Sequence, residues 1–79
     1  MDRRLSRILA NVFRVRDSDL TLDVTKDQIS SWDSLRQMDL VVSLEAEYGV
    51  TLEIDDIVRM RSIGAIVEVL SKKGICFED

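Results

Sequence analysis

The chain has 79 residues and a formal net charge of −4, enough for one hydrophobic core and too little for two, so a single domain over residues 1–79 is expected. Apolar residues make up 46% of it and aromatics only 5%, which predicts a folded protein with an aliphatic core of Leu, Ile and Val. Histidine is absent and Cys76 is the one cysteine. The side chain best suited to proton transfer near neutral pH is therefore missing, no internal disulfide can form, and no metal site of clustered thiolates is indicated.

Leu5, Ile8, Leu9, Val12 and Phe13 recur at i, i+3, i+4, i+7 and i+8, which predicts a helix from about Arg3 to Val15. Arg3, Arg4, Arg7 and Arg14 fall on its other side and read as a solvated outer face. No apolar stretch follows the first residues as in a signal peptide, and no run approaches the roughly 20 apolar residues that span a bilayer. A soluble, cytoplasmic protein with no membrane partner is expected.

From Arg16 to Asp33 the period breaks into Asp, Ser and Thr interleaved with Leu20, Leu22, Val24 and Ile29. The alternation of Leu20, Leu22 and Val24 suits a strand, but nothing else in the chain offers a second strand to pair with. A long irregular loop pinned by these apolar residues is the expectation. The next helix should start near Ser34 and end before Gly49, which supplies a left-handed C-terminal turn. It carries two apolar stripes, Leu35, Met38, Val42 and Ala46 on one side and Leu40, Val41, Leu44 and Tyr48 on another. One of them exceeds what packing requires and is available to a partner.

Asp55 to Arg59 suits a short helix, acidic at its start and basic at its end. Ser62 is the expected N-cap of a last helix whose Ile63, Ile66, Val67 and Leu70 form an apolar stripe before Lys72, Lys73 and Gly74 close it. The fold class is then all-α, a four-helix bundle of three main helices and one short one, with a long loop between the first two. Charge is unevenly spread along it: residues 1–16 sum to +4, residues 17–56 to −9 and residues 57–79 to +1. An acidic middle repels phosphate backbones, so no nucleic-acid partner is expected, and it suits proteins with basic surfaces.

Two common site patterns fail. In an EF-hand frame starting at Asp17, Leu22 occupies the glycine position and Gln28 that of the bidentate glutamate. Gly49, Gly64 and Gly74 are too scattered to cradle a phosphate. What remains is Ser31-Trp32-Asp33-Ser34-Leu35-Arg36-Gln37-Met38-Asp39-Leu40, where a long acidic loop runs into an amphipathic helix. A serine at a helix start is held at the surface, and a phosphodiester there lies against unpaired amides and the positive end of the helix dipole. On the residues alone, Ser34 reads first as a helix cap, with Gln37 three residues on completing a capping box, and only second as an attachment point.

This stretch resembles the acyl carrier protein family over about residues 3 to 73. In that family an Asp-Ser-Leu motif opens the second helix, and its serine receives 4′-phosphopantetheine from coenzyme A through a separate, magnesium-dependent transferase. Asp33-Ser34-Leu35 matches it. The resemblance implies a non-catalytic, monomeric carrier with Ser34 as the attachment point and Asp33 aiding metal binding in the transferase complex. It also implies partner docking around Leu35, Met38, Asp39 and Val42. Trp32 either packs beside the arm or plugs the loop onto the bundle, and the plug is the expectation.

The implied partners are a phosphopantetheinyl transferase and acyl-loading and acyl-processing enzymes with basic docking surfaces. Arg36 stands where fatty-acid carriers commonly show an acid, and Ser31-Trp32 replaces small residues, as in stand-alone carriers of specialised pathways. Fatty-acid, polyketide, peptide and surface-polysaccharide chemistry all remain open. Two other readings stay beside acyl carriage. One is an aminoacyl or peptidyl carrier with the same arm. The other is an unmodified interaction domain that binds a basic protein through Asp39, Glu45, Glu47, Glu53, Asp55 and Asp56. Cys76 is expected to have no role.

Overall fold

A computed structural model describes residues 2–77 of the chain, so Met1, Glu78 and Asp79 lie outside the described residues. Helix α1, Arg3–Phe13, starts at Asp2, whose carboxylate accepts the amides of Arg4 and Leu5 at 2.9 and 3.1 Å. Its Leu5, Leu9, Val12 and Phe13 are buried, as the spacing predicts. The helix stops two residues before Val15, because Arg14 turns left-handed at φ 56°. The apolar period reports which side faces the core rather than where the ladder ends, and Val15 still packs on the core from outside the helix.

Helix α2, Ser34–Tyr48, ends at Gly49 with φ 64° as expected. Only one of its two apolar stripes turns inward: Leu40, Val41 and Leu44 are buried, while Leu35, Met38 and Val42 stay 70, 52 and 62% exposed. Helix α3, Ile54–Arg59, begins one residue before Asp55 with a reciprocal Glu53–Asp56 cap. Helix α4, Ile63–Lys72, is capped by Ser62, whose hydroxyl accepts the Ala65 amide at 3.0 Å. Phe13, Leu5, Leu9, Leu40, Leu44, Met60, Ile63, Ile66 and Leu70 are fully buried and form the aliphatic centre. Each such side chain contributes on the order of 1.5–3 kcal/mol of transfer free energy.

The long loop is more ordered than its composition suggests. It holds short 3₁₀ turns at Asp17–Asp19 and Lys26–Gln28 and a single bridge between Thr25 and Ser62. Leu20 and Ile29 are buried and Val24 half-buried, as expected, but Leu22 is 55% exposed. Leu22 pins the loop through its backbone instead. The carbonyls of Leu22 and Val24 accept the Gly64 and Ile63 amides, and Arg61 accepts that of Lys26, all at 2.9 Å. Loop carbonyls thereby satisfy the first amides of α4 that its own ladder leaves open.

Candidate functional site

The turn that opens α2 differs from the one that opens α4. Asp33 is its N-cap: its Oδ1 accepts the Arg36 amide at 2.9 Å. The reading of Ser34 as cap is therefore corrected, since Ser34 is the first helical residue and its hydroxyl is not needed to close the helix. The capping-box role of Gln37 falls with it. Gln37 is buried, accepts the Trp32 indole N–H at 2.6 Å, and donates to the carbonyls of Ile57 at 3.1 Å and Met60 at 3.4 Å. The Ser34 and Leu35 amides take no acceptor among the described residues, and both side chains are exposed.

Trp32, 4% exposed, stacks on Phe13 with ring centroids 4.5 Å apart. It thus anchors the approach to Ser34 on the core, the plug role its position suggests. One residue back, the Ser31 hydroxyl donates to the Phe13 carbonyl at 2.6 Å and closes the end of α1. The Asp33–Ser34 step is held from behind by Trp32, Ser31 and Gln37 while its front faces solvent.

Leu35, Met38 and Val42 form an exposed apolar row that starts beside Ser34, so this is the stripe of α2 that packing does not use. Asp39 lies among them, half exposed and 3.9 Å from Arg36, a weak surface pair. Ile54 and Val58 of α3, 79 and 64% exposed, are further apolar side chains open to solvent. Sequence reasoning passed over these two, although neither fits the buried stripe of a neighbouring helix. Gln37 was also missed as a buried link. Its signal is a polar residue in register with Leu40, Val41 and Leu44 on the inward stripe.

The acids around this row are partly committed inside the fold. Glu47 pairs with Arg4, and Glu45 accepts the Leu52 amide at 2.8 Å. Lys73 reaches Asp56 at 2.8 Å, and that hydrogen bond holds the Asp56 carboxyl below the usual aspartate range. An open cleft of about 550 Å³ lies between the end of α1 and the loop and is lined by neither Asp33 nor Ser34. Among the described residues no group of His, Cys, Asp or Glu is arranged to hold a metal ion, and no helix is long and apolar enough to cross a membrane.

A four-helix bundle that offers one hydroxyl on the first turn of its second helix, beside open amides and an apolar row, is the architecture of a carrier domain. The phosphopantetheine attachment site family matches the chain over residues 3–70, and the chain belongs to it. An acyl carrier protein of Petrotoga mobilis is 29% identical over 70 residues, covering 89% of this chain and 82% of that one. Acyl carrier protein 2 of Pseudomonas aeruginosa is 29% identical over 72 residues, covering 91% of each. The solution structure of the holo acyl carrier protein from Geobacter metallireducens superposes with a TM-score of 0.79 at 30% identity, over 89% of this chain and 80% of that one.

The chain thus has the all-α fold of these acyl carrier proteins and belongs to a family defined by covalent attachment of phosphopantetheine. Its relatives are carriers rather than catalysts. Biosynthetic enzymes and a phosphopantetheinyl transferase are the general partners of the family.

Proposed function

We propose that Ser34 is the residue that takes the arm, and that the chain works as one carrier domain presenting acyl intermediates to separate enzymes. The observation that carries this is the first turn of α2. Ser34 is exposed and free of capping duty, and the neighbouring amides have no acceptor among the described residues. A phosphodiester fits there, since its anionic oxygens gain open N–H donors and the positive helix end. When attached, the group supplies a terminal thiol on which acyl cargo rides as a thioester.

The other residues have distinct parts. Asp33 fixes the first turn through Oδ1, which leaves its second oxygen for metal binding in the transferase complex. Leu35, Met38 and Val42, with Asp39 among them, form the docking face for enzymes with basic surfaces. The relatives are named for acyl cargo, which favours acyl over aminoacyl or peptidyl loading, within fatty-acid, polyketide or other specialised biosynthesis. Against an unmodified interaction domain stands the internal use of Glu45, Glu47 and Asp56.

The test is intact mass after incubation with coenzyme A, magnesium and a broad-specificity transferase. Wild type should gain one arm and Ser34→Ala none. An unmodified wild-type chain under conditions that load a known carrier would refute the reading. Loading assays with acyl- and amino-acid-adenylating enzymes then identify the cargo.

A further inference from the structure

Helix α3 has six residues, none of them buried. A helix that short has no stability of its own, and of its apolar side chains only Ile57 packs on the core, half-buried. Met60, just past its end, is buried, and α3 packs on α4, where Asp56 pairs with Lys73, while a separate set of polar links joins it to α2. At the α3 entrance, the Leu52 amide donates to Glu45 of α2. At its exit, Gln37 of α2 donates to both the Ile57 and Met60 carbonyls while accepting from Trp32. Glu45 and Gln37 are eight residues apart, so α3 runs back along α2 toward the turn that bears Ser34.

Gln37 joins three parts: the first turns of α2, the end of α3 and the loop that leads into Ser34. It sits in a small open recess with Lys26, Ile57, Val58, Met60 and Arg61. Its amide is saturated, with both donors and the acceptor oxygen used, in a site 9% exposed. Buried amides of this kind fix geometry, because any other arrangement leaves the indole N–H and the Met60 carbonyl without a partner.

We propose that Gln37 is a positioning residue for partner recognition. It locks α3 at a fixed place beside the arm-bearing turn, so that Leu35 and Met38 of α2 and Val58 of α3 meet an incoming enzyme as one rigid surface. This rests on the carrier reading of Ser34. Gln37 itself touches neither the hydroxyl nor the partner.

Gln37→Glu discriminates well, since a carboxylate still accepts from Trp32 but turns an acceptor toward the Ile57 and Met60 carbonyls. Gln37→Met, close in length and without polar atoms, is the second variant should the first fail to fold. Val69→Ala, a buried α4 position that is not part of the proposed exposed surface, is the control for lost stability alone. The measurements are transferase kinetics with each protein as substrate, and hydrogen exchange of the Ile57 and Met60 amides.

The expected result is a KM about tenfold higher for the Gln37 variants at unchanged kcat, the fold-change that ~1.4 kcal/mol of lost ground-state positioning gives. Exchange in α3 should accelerate with it. Val69→Ala should exchange faster throughout yet keep the wild-type KM. Equal KM for wild type and the Gln37 variants, or an equal rise in Val69→Ala, overturns the proposal. A wild-type chain that accepts no arm refutes the carrier reading instead, and the exchange data then still decide whether Gln37 holds α3.

Discussion

Replacing Ser34 by Ala removes one hydroxyl from the first helical position of α2, and the two functions a serine can have there predict opposite profiles. A capping serine costs about 1 kcal/mol when lost, with a range of roughly 0.5–2. Here Asp33 takes the Arg36 amide and Ser34 is exposed, so no hydrogen bond of the described fold is broken. Alanine is also the better helix former by a few tenths of a kcal/mol. The expected change in stability is within about 0.5 kcal/mol, which for a domain of this size shifts Tm by no more than roughly 4 °C. Asp33→Ala should cost the full cap, several degrees by the same conversion. Mass gain with coenzyme A and transferase should vanish in Ser34→Ala, since the nearby Ser31 hydroxyl is engaged by Phe13. Thermal melts followed by circular dichroism and intact-mass spectra check both halves. A full mass gain in Ser34→Ala would refute the site, and a loss of 8 °C or more would refute the capping assignment on which the argument rests.

Gly64→Ala should destabilise by roughly 1–3 kcal/mol, because a Cβ there would lie 2.9 Å from the Leu22 carbonyl oxygen, which is itself bonded to the Gly64 amide; a denaturant titration measures it, and an unchanged midpoint contradicts the loop contact. Asp56 has its carboxyl held below its unfolded value by Lys73, so its contribution is present above the unfolded pKa near 3.9 and is lost as pH falls through the lower folded value. The Tm difference between wild type and Lys73→Met should accordingly be constant from about pH 7 to 5 and close at more acidic pH; a difference that persists at the acid end points to packing rather than charge. Affinity for a loading enzyme should fall as salt rises, because residues 17–56, which include the proposed docking row, carry a net charge of −9; identical affinity at low and high ionic strength rules the electrostatic account out.

The helices were legible because each signal is local. Leu5 to Phe13, Ile63 to Leu70 and the Gly49 stop state their own period or boundary within a few residues. The motif at Asp33-Ser34-Leu35 was legible for the same reason. Whether Asp33 or Ser34 caps α2 was not, since both residue types cap well and the choice depends on where the backbone turns helical. The split between the two stripes of α2 was equally hidden. Leu35, Met38 and Val42 have the same apolar character as Leu40, Val41 and Leu44, and only the placement of α1 and α4 decides which row is covered.

Long-range polar contacts account for the rest. The clip of Leu22 and Val24 onto Gly64 and Ile63 involves backbone atoms some forty positions apart, and no side-chain pattern encodes it. Gln37 is the instructive case. Its register with the inward stripe marked it for burial, but its partners on Trp32, Ile57 and Met60 come from a loop and a helix whose docking the same residue helps to determine. Burial of an amide at that register implies carbonyl and N–H partners that must be found elsewhere in the chain. A short helix with no buried residue, such as α3, is where such partners should be sought, because it has the least apolar surface to hold it. The acyl carrier surface is therefore assembled from two kinds of information, an apolar row written locally on α2 and a polar link that fixes what stands beside it.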